Sequence, residues 1–204
     1  SMAFMGSIVS VGSIILQSGI NAIGTEIIAG HVAARKIFAI CNLPFTSMAV
    51  AIATFIGQNR GANQGKRILK AMKDAYLFDL IAAIGMTAFL WLTAPSLIHM
   101  ISGSNNPVIL SNGSRYLYVL GPFYGVLGLL LQTRFALQGL GSKILPLVSS
   151  VIECVGKILF TILLIPPFGY TAVIWCEPII WCFMTAQLLF SFFTNPYIKQ
   201  IKAQ

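Results

Sequence analysis

The sequence has very little charge, and acidic residues are the scarcest charged class. Of its 204 residues only 9% are charged, with 5 Asp and Glu against 13 Lys and Arg, while 57% are hydrophobic. Soluble domains carry about 25% charged residues, so this composition could not cover a water-exposed surface. The apolar excess instead predicts an all-α membrane protein whose main partner is the lipid bilayer.

Residues that bind metals or form disulfides are also few. The two histidines, His31 and His99, lie far apart, and the four cysteines show no CxxC or other metal-ligand spacing. All four cysteines fall in apolar runs, where the thiol packs as a small hydrophobe. We therefore predict no disulfide, no metal site and no bound cofactor. Motifs such as HExxH and GxSxG are absent from the sequence, which argues against an enzyme.

Long apolar runs account for nearly the whole chain. A transmembrane helix needs about 20 predominantly apolar residues, and six such runs leave no room for a soluble domain. The sequence predicts a single six-transmembrane-helix bundle over residues 1–204, with a kink at Pro44 and a polar loop over 99–114. The predicted spans are about 3–23, 28–56, 76–97, 115–140, 144–165 and 170–194.

Most basic residues lie between the apolar runs. Segment 57–75 is predicted to be an amphipathic surface link, with Ile68 and Met72 on one side and Lys66 and Lys70 on the other. Basic residues recur on alternate links and in the tail. The positive-inside rule then makes the link and the C-terminus cytoplasmic in a multi-pass plasma-membrane protein. It also explains the net charge of +8 without nucleic acid as a partner.

Charged side chains at membrane depth are candidates for function, because they are costly in lipid. Glu153 and Lys157 are four residues apart and share one helix face. They either line a polar path that meets substrate or a coupling ion, or form a self-neutralising pair near an interface. Glu177, beside Pro178, either attracts a cation or hydrogen-bonds a neighbour from a kinked helix.

Uncharged polar residues supply four further candidates for contact with substrate or a coupling ion. Gln17 and Asn21 give the first span a polar face that either joins helices or lines a cavity. Tyr124 and Gln132 lie deep in the fourth span and are candidate pocket residues. In the same span, the glycine pair at 121 and 125 predicts a close helix approach.

Other polar residues are expected to have structural roles. Asp79 is expected at a membrane interface, balancing nearby lysines, and His31 and Tyr116 are expected to be interfacial. Arg35 either reaches the headgroups or orients a partner carboxylate.

Small residues and one proline near the start of the chain resemble those of a transporter family. Residues 16–62 read LQSGINAIGTEIIAGHVAARKIFAICNLPFTSMAVAIATFIGQNRGA. This stretch resembles the start of the second six-helix lobe of the multidrug and toxic compound extrusion (MATE) transporters. The matching features are Asn21 and Gly24, Ala33-Ala34, Pro44, Gly57-Gln58 and Gly61-Ala62. Residues 131–143, LQTRFALQGLGSK, are similar to the fourth helix of that lobe and its exit.

The resemblance implies one half of a twelve-helix, two-lobe transporter. Such a half would take part in the export of amphipathic or cationic drug-like compounds by a proton- or sodium-coupled antiporter working by alternating access. It would need the missing N-terminal six-helix lobe or a second copy of itself. The nearest alternatives are a lipid-linked oligosaccharide or polysaccharide flippase of related architecture and a non-transporting membrane lobe.

The sequence departs from the resemblance at the cation site. The sodium-linked branch of the family has carboxylates in the first and fourth helices of this lobe, where this chain has Val9 and Leu127. That site is therefore not carried over. Coupling would rest on the other lobe or on Glu153 or Glu177, and the ion stays open between proton and sodium.

Overall fold

The computed structural model describes residues 2–202 and, within that range, the side chains of residues 5–201. Helices cover nearly all of the described chain, which confirms the predicted all-α fold. The first five are α1 (Met2–Asn21), α2 (Thr25–Cys41), α3 (Leu43–Gly61), α4 (Gly65–Ser102) and α5 (Pro107–Gly139). Helix α6 (Ile144–Leu159) continues through a π-helical turn (Phe160–Leu164) into α7 (Ile165–Phe168), and α8 (Tyr170–Thr194) and α9 (Pro196–Lys202) follow.

Helix α5 begins and α4 ends at residues suited to those positions. Asn106 caps α5 by accepting a hydrogen bond from the Val108 N–H at 2.9 Å. Pro107 occupies the first position of the helix, where its missing N–H costs nothing. At the end of α4, Gly103 has a φ of 65°, a left-handed conformation that glycine adopts without steric cost.

The second predicted span is broken into two helices. Helices α2 and α3 meet at Asn42 with a bend of 41°. Pro44 lies in the first turn of α3, so the break precedes the proline instead of being centred on it. The physical reason is that a helix accommodates proline in its first turn but not in its interior.

Helix α4 unites two segments that the sequence analysis separated. Its 38 residues include most of the predicted surface link and all of the third span. Ile68 and Met72 are buried while Lys66 and Lys70 are exposed, which confirms the two predicted faces.

The predicted polar loop over 99–114 is wrong for most of its length, because only residues 103–106 are non-helical. Polar side chains in this region form hydrogen bonds with the backbone of their own helix. The Asn112 side-chain amide, for example, donates to the Val108 carbonyl at 2.9 Å, and such local bonds let polar residues remain in a helix.

Most of the predicted spans correspond to helices of suitable length and polarity. Four segments are long and apolar enough to cross a bilayer, and the bent pair α2–α3 makes a fifth. The four are Gly65–Ser102, Pro107–Gly139, Ile144–Phe168 and Tyr170–Thr194. The first predicted span corresponds to a shorter apolar helix, described over Met5–Asn21. Exposed apolar side chains such as Ile81, Ile84 and Leu92 give α4 the surface expected of a lipid-facing helix.

Helix α5 lies at the centre of the bundle. It packs against α2, α3, α4 and α8, while α1 packs mainly on α6, which in turn contacts α8. Glycines bring α5 close to α4: a Cβ at Gly121 would lie 3.4 Å from the Thr87 side chain, and one at Gly125 would lie 3.7 Å from Ala83. The close approach predicted for this glycine pair is confirmed.

Candidate functional site

A small polar cavity lies among α1, α2, α5, α6 and α8. Its volume is about 70 Å³. The polar side chains that line it are Ser13, Gln17, His31, Arg35, Tyr116, Lys157 and Glu177. Three candidates from the sequence, Gln17, Lys157 and Glu177, meet here although they belong to three different helices.

Glu177 of α8 is held by an ion pair across the bundle. Arg35 of α2 donates from Nη1 to both carboxylate oxygens of Glu177 at 2.7 Å, and the Tyr116 hydroxyl donates to the same carboxylate at 2.9 Å. The Glu177 side chain is only 10% exposed. Of the two alternatives for Arg35, orienting a partner carboxylate is therefore confirmed. Its guanidinium also lies 5.1 Å from the centre of the Phe38 ring, within cation–π range.

Two residues expected at an interface are instead buried beside this ion pair. Tyr116 is 1% exposed and His31 is 5% exposed, and their rings meet edge to face at 5.0 Å. The His31 Nδ1 also lies 3.3 Å from the Tyr170 hydroxyl. Helices α2 and α5 turn both side chains towards each other inside the bundle, so neither is exposed on its surface, while their depth in the membrane stays a prediction. The four-residue spacing of His31 and Arg35 was the available signal that both share one face.

Lys157 of α6 connects a second ion pair to the cavity. Its ammonium group donates to Glu153 Oε1 at 2.8 Å and to the Ser13 hydroxyl of α1 at 3.0 Å. Lys157 is 4% exposed, so it is buried in the bundle and does not extend to the protein surface. The predicted shared face of Glu153 and Lys157 is confirmed by this contact.

Charges of alternating sign run through the bundle. Arg134 of α5, which donates to the Ser150 hydroxyl, lies beside Glu153 at one end of this series. Beyond the pair of Glu153 and Lys157, Lys157 lines the same cavity as Glu177, and Glu177 binds Arg35. We call Arg134, Glu153, Lys157, Glu177 and Arg35 the charge row. Glu153 and Arg134 also line a wider depression of about 490 Å³ beside α1.

Of the uncharged candidates, Gln17 lines the polar cavity, whereas Asn21, Tyr124 and Gln132 lie outside it. Gln17 donates to Asn21 at 2.8 Å on an exposed face of α1. Tyr124 is fully buried between Phe38 and Phe45, whose ring centres lie 5.7 and 5.5 Å from its own.

Gln132 contacts a residue that was expected at a membrane interface. Its side-chain amide donates to Asp79 at 3.1 Å, and Asp79 is 1% exposed. The expected balancing of the nearby lysines is therefore wrong, because Asp79 faces the interior while Lys70 and Lys73 are exposed, and its membrane depth stays a prediction. Asp79 continues the buried stripe of α4 one turn beyond Ala75, a helical spacing that could have been read from the sequence.

Replacing Lys157 by methionine is expected to destabilise the protein by on the order of 1–3 kcal/mol, because Glu153 loses a charged hydrogen-bond partner in a buried setting. The matched control is Lys143→Met, at the exposed start of the same helix. Thermal unfolding in detergent would compare the two variants. Equal unfolding temperatures would show that the buried lysine contributes nothing to stability.

Comparison with known proteins provides independent evidence on this helical bundle. A family model described as MatE matches residues 1–163. A curated relative, the probable multidrug resistance protein NorM of Thermotoga maritima, is 21% identical over 144 residues, which cover 71% of this chain and 31% of the relative.

Solved structures share the fold at low sequence identity. A MATE protein in complex with MaD3S superposes with a TM-score of 0.84 at 14% identity, covering 95% of this chain and 44% of that one. A MOP superfamily transporter from Pyrococcus furiosus gives a TM-score of 0.82 at 14% identity, covering 93% of this chain and 42% of that one. The chain thus spans less than half the length of the relatives it matches.

Proposed function

Because the chain belongs to the MatE family, we propose that it is one lobe of a multidrug exporter. In this proposal the lobe pairs with an N-terminal six-helix lobe, or with a second copy of itself, across a central cavity. The paired lobes export amphipathic or cationic drug-like compounds by alternating access. A coupling cation, either a proton or sodium, drives the export, and no catalytic step is involved.

The charge row is the observation that carries this proposal. The row holds three basic and two acidic side chains: Arg35 pairs with Glu177 and Lys157 pairs with Glu153, so one basic charge, on Arg134, remains without a carboxylate in an ion pair. A carrier of lipid-linked oligosaccharide phosphates would need a basic cavity to neutralise its anionic cargo. An interior whose basic side chains are mostly paired with carboxylates suits amphipathic or cationic compounds better.

The size of the cavity favours a two-lobe arrangement. Drug-sized ligands occupy pockets of about 300–1,000 Å³, whereas the polar cavity here holds about 70 Å³. The wider depression beside α1 is open on one side. We propose that a second lobe closes over the α1 side, where Gln17 and Asn21 are exposed, and completes a pocket of sufficient volume.

The proposed location and orientation follow from charge. We propose a plasma-membrane protein with its C-terminus in the cytoplasm. The basic side chains Lys66, Lys70 and Lys73 at the start of α4 are exposed, and such clusters remain on the cytoplasmic side of the membrane.

An efflux assay tests the proposal. The chain is expressed with and without the N-terminal lobe of a full-length relative in a drug-hypersensitive bacterium that lacks its own efflux pumps. We expect ethidium retention to fall only when both lobes are present and the ion gradient is intact. Unchanged retention, with both pieces in the membrane, would contradict drug export and favour the flippase or non-transporting alternative.

A further inference from the structure

Two buried oxygen atoms between α4 and α5 have no hydrogen-bond donor. Asp79 and Gln132 are 1% and 0% exposed, and they share one hydrogen bond, from the Gln132 amide nitrogen to Asp79 Oδ1 at 3.1 Å. The other oxygen of each side chain, Asp79 Oδ2 and Gln132 Oε1, has no partner. Buried polar atoms are nearly always hydrogen-bonded, so this pair requires an explanation.

The surroundings hold these two side chains close together. A Cβ at Gly128 of α5 would lie 2.8 Å from the Asp79 Cβ, so only glycine leaves room for the carboxyl group at this crossing. Beside it, the Tyr76 hydroxyl and Thr133 Oγ1 lie 2.8 Å apart and are hydrogen-bonded. The carboxyl group is thus fixed against the Gln132 amide and enclosed by neutral neighbours.

Among the described residues, no basic side chain forms an ion pair with Asp79. The arginines on the helices packed against α4 bind other groups. Arg35 of α2 binds Glu177, and Arg60 of α3 binds the Leu140 carbonyl. On α5, Arg134 donates to Ser150 and Arg115 donates to Thr171. Lys36 of α2 and Lys199 of α9 are exposed, as are Lys66, Arg67, Lys70 and Lys73 on α4 itself. The other titratable side chains on these helices are Glu26, His31 and Cys41 of α2, Asp74, Tyr76 and His99 of α4, Tyr116, Tyr118 and Tyr124 of α5, and Tyr197 of α9.

A single proton would satisfy both unpartnered atoms. An ionised Asp79 is acceptor-only and leaves two buried acceptors, Asp79 Oδ2 and Gln132 Oε1, without a donor, which is costly. A protonated Asp79 can donate from Oδ2 to Gln132 Oε1 while its Oδ1 continues to accept from the Gln132 amide. Carboxylic acid and carboxamide then form a closed pair with two hydrogen bonds.

We propose that Asp79 and Gln132 form a reversible proton-binding site in the interior of this lobe. The proton is taken up on the Asp79 carboxylate, and the Gln132 carbonyl accepts the resulting hydroxyl hydrogen bond. A role of this site in coupling export to a proton gradient rests on the proposed function. Proton binding by Asp79 is independent of that function, and it is measured on this chain without a transport assay.

The sequence allows Asp79 to be observed without altering it. The chain has two aspartates, Asp74 and Asp79, and Asp74 is exposed. A chain carrying Asp74→Asn and grown with aspartate labelled with ¹³C at the side-chain carboxyl carbon has Asp79 as its single labelled residue. Nuclear magnetic resonance of this chain in lipid nanodiscs, in potassium buffer, then reports protonation from the chemical shift of that carbon across a pH series.

We expect the protonated-acid signal of Asp79 to persist at pH 6, where an ordinary aspartate with a pKa of about 3.9 is ionised. Adding Gln132→Leu should shift the Asp79 signal, whereas adding the exposed Lys70→Gln should not. An ionised carboxylate at pH 6 would overturn the proposal. So would a carboxylate signal that responds to replacement of potassium by sodium, because the site would then bind a metal cation.

Discussion

Replacing Glu177 by alanine is expected to destabilise the protein by about 3 kcal/mol, near the lower end of the cost of breaking a buried ion pair. The substitution leaves the Arg35 guanidinium without its carboxylate and the buried Tyr116 hydroxyl without its acceptor. The cost stays near the lower end because the Arg35 side chain is 41% exposed, against 10% for Glu177. Thermal unfolding of the detergent-purified chain measures the loss.

Two further variants separate charge from packing. Combining Arg35→Met with Glu177→Leu should recover much of the lost stability, because a buried ion pair can be replaced by apolar residues at little net cost. The difference between the double variant and the summed effects of Arg35→Met and Glu177→Leu alone is the coupling energy between the two residues. Glu26→Gln is the control, since Glu26 is exposed and its only described partner is Asn106 at 2.7 Å. Additive losses in the double variant would contradict an energetic link between Arg35 and Glu177.

Replacing Gly30 by alanine is expected to cost on the order of 1–3 kcal/mol through overpacking. A Cβ at this position would lie 2.6 Å from the Ile109 carbonyl oxygen, which is backbone and cannot move aside as a side-chain end could. Gly113 faces the same crossing, since a Cβ there would lie 2.9 Å from the Gly30 carbonyl. A leucine at position 30 should prevent α2 from seating on α5, with loss of folded protein in size-exclusion profiles.

Gly85 provides the matched control for Gly30. It lies in the interior of α4, and a Cβ there would meet nothing within 4 Å. Gly85→Ala should therefore stabilise the helix by about 0.5–1 kcal/mol, because alanine loses less backbone entropy than glycine. Similar unfolding temperatures for Gly30→Ala and Gly85→Ala would contradict a tight contact between α2 and α5.

The losses of stability expected for Glu177→Ala and Gly30→Ala both concern the packing of α2, and both bear on the proposed transport. The ion pair between Arg35 and Glu177 and the crossing at Gly30 connect α2 to the rest of the bundle. In the efflux assay, a variant that folds but fails to export would therefore separate a role in transport from a role in stability. Glu153→Gln and Glu177→Gln are the two substitutions to compare there, because each removes one acidic charge from the charge row while keeping the side chain's size.

The sequence by itself determined the class of the protein and its local helix faces. Scarce charge and long apolar runs imposed a helical membrane bundle, since lipid leaves the backbone no other hydrogen-bond partner than itself. Helical periodicity placed Ile68 opposite Lys66 and put Glu153 and Lys157 on one face, because residues three and four apart are neighbours on any helix.

Only the tertiary structure decided which polar residues meet. Arg35 and Glu177 are 142 residues apart in sequence, and periodicity carries no information about contacts between helices. The same limit applies to Asp79. The helical periodicity of α4 gives its inward direction, but its contact with Gln132 depends on how closely the glycines of α5 let the two helices approach. Helix crossings fix these pairs, and the crossings result from packing over the entire bundle.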